Sequence, residues 1–166
     1  MAANPITQPS WQPLVADAHG APQTIAIPAR PDGLWTKVVD CIPAGHKLRI
    51  QVMGGQWTAD PDKASSGAEG VMRDATGLLA PWAPPGCLIG KVGGSTADNT
   101  APLATATVAQ TQAVNAPTVF VFAVGSFCMV QVPTAVTGPL YLTMNDAPAN
   151  FSKHAGSVNV QAFGAQ

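Results

Sequence analysis

The sequence predicts an all-β protein, a jelly-roll-like β-sandwich of two antiparallel sheets, and three observations carry that expectation. The first is composition. Gly and Pro number 16 each and glutamate occurs once, at Glu69, so helices lack good formers while turns are well supplied. The second is alternation: over residues 47–53, Leu48, Ile50 and Val52 fall on one side and Lys47, Arg49 and Gln51 on the other, the period of a half-buried strand. The third is spacing. About eight such short runs are separated by turn signals, and strands that each bury one face need a second sheet to bury it against.

The runs lie at 24–27, 37–42, 47–53, 87–92, 119–124, 127–132, 140–144 and 157–162, divided by Pro-Ala-Gly, Gly-Ser and Thr-Gly-Pro segments. Turn chemistry of this kind bounds short strands. Residues 54–86 and 93–117 lack periodicity and read as long surface loops, which in a compact domain tend to serve recognition or subunit contact. Residues 1–22, with Pro5, Pro9 and Pro13 around Trp11, read as an extended arm, with two alternatives open: Trp11 anchors it onto a neighbour, or it is a partly ordered tail. The sandwich domain is then 23–166.

At 166 residues the chain is one domain. Eight Lys plus Arg stand against nine Asp plus Glu, with no run of either sign, so nothing supplies the basic footprint that nucleic acid or an anionic membrane requires. No apolar stretch approaches the ~18 residues of a membrane span, and the N-terminus carries neither the basic nor the apolar region of a Sec signal. The expectation is a cytoplasmic protein, leaving the cell, if it does, by another route. A charged fraction of 10% with a mean hydropathy of +0.17 predicts a homo-oligomer, a dimer or tetramer, that covers part of an apolar surface. Cys41, Cys87 and Cys128, each inside an apolar run and without metal-ligand spacing, read as buried free thiols in a reducing compartment.

Catalytic patterns are missing, and the sequence reads as a non-enzyme. The neighbouring carboxylates Asp60 and Asp62 sit in a polar loop with no environment to raise a pKa. Gly125-Ser126 lies between two apolar runs, where a hairpin turn explains it better than a nucleophile elbow. Gly86, Gly90, Gly93 and Gly94 read as turn and bulge glycines rather than a phosphate loop. The lone His19, His46 and His154 read as surface or hydrogen-bonded side chains. One stretch, 140–160, stands out: a strand ending in Asn145-Asp146, a compact loop turned by Pro148, and Gly156 opening the next alternating run. It gathers polar groups at one rim, where a hard cation would find oxygen ligands.

Three stretches in order then carry a family resemblance. They are Pro43-Ala-Gly45, the run 48–52 and Gln56-Trp57; Gly77-Leu-Leu with Gly86-Cys-Leu-Ile-Gly-Lys91-Val-Gly93; and Asn145-Asp146, Pro148, Phe151, Gly156-Ser157 with alternating Val158 and Val160. The chain resembles the PA-I galactophilic lectins, calcium-dependent galactose-binding bacterial proteins, over most of 34–163. The resemblance implies a galactose-binding-domain-like sandwich that binds a galactoside glycan. It implies Ca2+ held around Asp146, with Asp60 and Asn150 where the family uses main-chain oxygens. Sugar binding is implied for Arg73 and Thr76 together with the cation-site residues Asp60, Asp146, Asn150, Lys153 and His154. The family's two asparagine ligands are replaced by Lys153 and His154. An ammonium beside the site repels a divalent ion, so Lys153 is expected to stand in for calcium and to pair with Asp146 and Asp60. Trp57 and Trp82 are both candidates to stack on sugar faces, and the resemblance favours for Trp57 the alternative of a structural tryptophan packed in the core.

Overall fold

The structure is a computed structural model that describes residues 9–96 and 119–166. Among the described residues nine strands form, in chain order: β1 (Gln12–Pro13), β2 (Ile25–Pro28), β3 (Thr36–Ile42), β4 (Lys47–Thr58), β5 (Leu88–Val92), β6 (Phe120–Ala123), β7 (Phe127–Gln131), β8 (Gly138–Met144) and β9 (Ala155–Ala165). All eight expected runs are strands. Their ends shift by a few residues, most for β4, which continues through Gly54-Gly55 past a register shift between Val52 and Gly54.

The strands pair as nested partners. β2 pairs with β9, β3 with β8, β4 with β7 and β5 with β6, all antiparallel, as in one long hairpin. Rolling that hairpin up sends alternate pairs to opposite layers, giving one sheet ordered β1-β9-β4-β7, with β2 also on β9, and a second ordered β3-β8-β5-β6. This is the jelly-roll winding of a two-sheet sandwich. Leu48, Ile50, Val158 and Val160 from one sheet meet Leu88, Val92, Leu140 and Leu142 from the other in the buried core between them.

A second apolar cluster covers the outer face of the four-stranded sheet. Trp35, Ile89 and Tyr141 lie under Leu79, Ala80, Ala83 and Phe151, so β5 is buried along its whole length. Residues 54–86 are therefore not simply a surface loop: the first five extend β4 and 78–80 are buried, packed on the sheet. Lys91, on the covered face, is fully buried. Its Nζ donates to the Ser95 carbonyl at 2.6 Å and lies 4.8 Å from the Trp35 ring centroid and 5.2 Å from that of Tyr141, faces that attract a cation.

Other expectations are corrected. β6 and β7 belong to different sheets, so Gly125-Ser126 is a tight corner between layers and not a hairpin turn. Gly90 is no turn glycine: it lies within β5, where a Cβ would fall 2.5 Å from the Phe122 ring. All three thiols are free, but Cys41 is exposed and only Cys87 fully buried. Cys41 lies on edge strand β3, within the register shift between Val39 and Ile42, which takes it off the inward alternation. Burial pushes the Cys128 thiol up to about 12. Trp11 docks on its own molecule: the Arg49 guanidinium lies 5.1 Å from its ring centroid and 4.2 Å from that of Phe163, and β1 joins β9. Most of 93–117, expected to serve recognition, lies outside the described residues.

Candidate functional site

One rim of the sandwich gathers three chain segments: the turn after β4, residues 66–86, and the loop between β8 and β9. Asn145, at the end of β8, ties two of them together. It is fully buried; its Oδ1 accepts from Ala80 N at 2.9 Å and its Nδ2 donates to the carbonyls of Ala80, Ala83 and Pro84 at 2.9 to 3.1 Å. The side chain thus satisfies four backbone contacts of a segment with no strand partners of its own. Trp57, 1% exposed, adds a bond from its indole N–H to the Gly86 carbonyl at 2.8 Å, which is the core role expected for it.

Asp146 follows, 1% exposed, and both of its carboxylate oxygens take hydrogen bonds from the protein. Oδ1 accepts from Ala147 N at 2.7 Å and from Asn150 Nδ2 at 3.0 Å. Oδ2 lies 3.2 Å from His154 Nε2. Burial alone pushes this carboxyl up, and the bonds from His154, Asn150 and Ala147 outweigh it, so its pKa falls below the ordinary carboxylate value. An ionised carboxylate only accepts, so Nε2 of His154 carries the proton and donates. The Asp146 carbonyl takes Leu79 N at 3.1 Å.

The loop folds as a 3-10 helix, Pro148–Lys153, with Pro at its start, where a missing N–H costs nothing. This turn brings Asn150 back onto Asp146 and points its neighbours in different directions. Lys153, with 60% of its side chain exposed, reaches Asp60 Oδ2 at 3.4 Å, and Lys63 approaches the same oxygen at 3.7 Å. The side chain that meets Asp146 is therefore His154, one position on, and Lys153 does not take that place. Asp60 is held in its turn by Thr58 and by Asp62 N, which donates to Asp60 Oδ1 at 3.2 Å. That backbone bond, with Lys153 beside it, lowers the Asp60 pKa.

Two clefts open at this rim, divided by Val71 and Arg73. The smaller, about 200 Å³, is lined by Thr58, Asp60, Lys63, Ser66 and Arg73. The larger, about 580 Å³, is lined by Arg73, Asp74, Met72, Pro81 and Trp82. Arg73 and Asp60 thus share a cleft. Thr76 is exposed and lies just before Gly77, where an added Cβ would meet Ala147 at 3.8 Å. Asp60, Arg73, Asn150, Lys153, His154 and Asp146 fall within one region of the molecule, split between a buried knot on Asp146 and an open charged cleft on Asp60.

Among the described residues, no three His, Cys, Asp or Glu side chains gather as a metal cluster, and no helix is long and apolar enough to cross a membrane. Asn145 is the residue whose role sequence reasoning missed. Its only signal was its place next to Asp146 at a strand end. Compared with family models and with curated proteins, the chain matches none.

Proposed function

We propose that this protein is a lectin-like carbohydrate-binding domain that recognises a galactoside-like glycan at the two-cleft rim, without calcium and without catalysis. The observation that supports the reading most is the state of Asp146. Where the lectin resemblance calls for a cation, its two oxygens already receive an imidazole N–H, a carboxamide N–H and a backbone N–H. A hard cation that wants six to eight oxygen ligands would have to compete with that set and sit against its N–H donors. The protein's own donors do the cation's structural work.

Sugar hydroxyls are then met by Asp60, Lys63, Ser66 and Arg73, groups that combine strong acceptors with strong donors. Trp82 flanks the larger cleft as a stacking face. A glycan array probed in millimolar calcium and again in chelator tests this. The reading expects the same saturable galactoside signal in both, lost in Arg73→Ala. A signal present only with calcium contradicts the proposed role of His154, and no signal in either condition contradicts sugar binding.

A second reading, an assembly protein on the same fold, is favoured by one observation: Met53, Phe127 and Met129 are each more than half exposed on one sheet.

A further inference from the structure

β7 ends the five-stranded sheet, and among the described residues no strand pairs with it on the side away from β4. An unpaired edge is a template for another strand, and proteins ordinarily guard it with proline, lysine or a bulge. The opposite edge of the same sheet carries Pro13 in β1 and Pro28 in β2. In the other sheet, edge strand β3 carries Lys37, Asp40 and two register shifts. β7, Phe-Cys-Met-Val-Gln, has no proline, no charge and an unshifted register against β4.

Its free backbone groups are identifiable. Ser126 O accepts from Val52 N, and Val132 N donates to His46 O, with Ile50↔Cys128 and Leu48↔Val130 in register between them. The even-numbered residues therefore face β4. By alternation the N–H and C=O of Phe127, Met129 and Gln131 point outward from the edge. These same residues hold their side chains on the solvent face, with Phe127 54% and Met129 60% exposed, while Cys128 and Val130 pack against the core.

We propose that β7 is the seam of a two-fold homodimer, in which two copies of β7 pair antiparallel about Met129 and join the two five-stranded sheets into one. In that register Phe127 stands opposite Gln131 of the second copy and Met129 opposite itself. Every outward donor and acceptor on both strands is then satisfied. A one-pair slip leaves an end residue of each strand unpaired, so the centred register is the one selected.

The side chains agree with it on both faces. Met129 meets its symmetry mate, and the solvent-facing Met53 and Phe127 extend the apolar strip on either side. On the inner face Cys128 meets Val130 of the second copy, closing the core where each is now only half-buried. No charges collide. Lys47 sits beside Gln131 in the sheet, so the two copies of Lys47 lie at opposite ends of the seam. A different protein would have to supply this matching strand, whereas a second copy supplies it by symmetry. An edge of this length is a small interface, in the class below about 1,200 Å² that forms transient complexes.

This dimer goes beyond the sugar reading and stands on strand geometry alone. Its test uses no glycan, so either can fail without the other. Sedimentation of the full chain from about 1 to about 500 micromolar is expected to show a monomer that becomes a dimer as concentration rises. Met129→Lys sets two ammonium groups face to face on the dyad and is expected to weaken the dimer at least about tenfold. Because Met129 is mostly exposed, the variant should keep its circular dichroism. Met129→Cys tests register independently: paired Cα atoms at about 5.5 Å lie within disulfide range, so mild oxidation should link two chains through position 129. A monomer throughout the range, a dimer that Met129→Lys leaves unchanged, or failure of the position-129 link would each overturn the proposal.

Discussion

Asp146 holds its loop by accepting, and removing it leaves three donors in the interior with nothing to meet. Asp146→Ala is expected to cost about 3 kcal/mol, a midpoint lower by roughly 6 to 12 °C for a domain of this size. Lys153→Ala breaks a solvent-exposed pair and is expected to move the midpoint by no more than about 1 to 2 °C. Thermal denaturation of the two variants side by side checks the division between buried knot and open cleft. Equal losses would contradict it. Acid adds a second check. The folded carboxyl titrates below its unfolded value of about 3.9, so the stabilisation is complete above that pH and is lost as pH falls through the folded value. Asp146→Asn should flatten this acid limb. The cluster was legible in sequence as an Asn-Asp turn followed by Asn150, Lys153 and His154. Which of two adjacent side chains meets the aspartate was not, because a 3-10 turn sets neighbours about 120° apart and nothing in the residue types says where that turn begins.

At the scale of the element, the strands were read well because alternation reports one buried face directly. What the alternation does not report is the partner. A short Gly-Ser link between two strands looks the same whether it turns back within a sheet or crosses to the other layer, and here β6 to β7 crosses. The continuation of β4 through Gly54-Gly55 was hidden for a related reason: glycines have no side-chain pattern. Gly156, opposite Trp57, is required by contact, since at φ 88° a Cβ there would stand 2.5 Å from the Gln56 carbonyl oxygen. Gly156→Ala is expected to cost about 3 kcal/mol. Gly20→Ala, at φ 82° with nothing within 4 Å, should cost about 1 kcal/mol, and the difference measured by urea denaturation isolates the clash. Thiol labelling of the native chain checks strand placement in another way: Cys41 should react fast, with Cys87 and Cys128 protected until the protein unfolds.

For the whole molecule, nested pairing and rolling place the ends of β4, β8 and β9 at one rim, so residues as distant in sequence as Asp60 and Lys153 come within 3.4 Å. The fold class was legible because few helix formers, abundant turns and eight alternating runs all exclude the alternatives. The outer layer was not legible: residues 78–86 carry no period, and Asn145, not a strand ladder, fastens them to the sheet. That fastening shapes both clefts, and under the proposed galactoside reading the rim holds together on the protein's own donors, without calcium. Calorimetric titration of a galactoside into the full chain, in chelator and then in millimolar calcium, tests this most directly. The expected result is saturable binding with the same affinity in both buffers and its loss in Arg73→Ala. Binding that appears only when calcium is added, or no binding in either buffer, would contradict it.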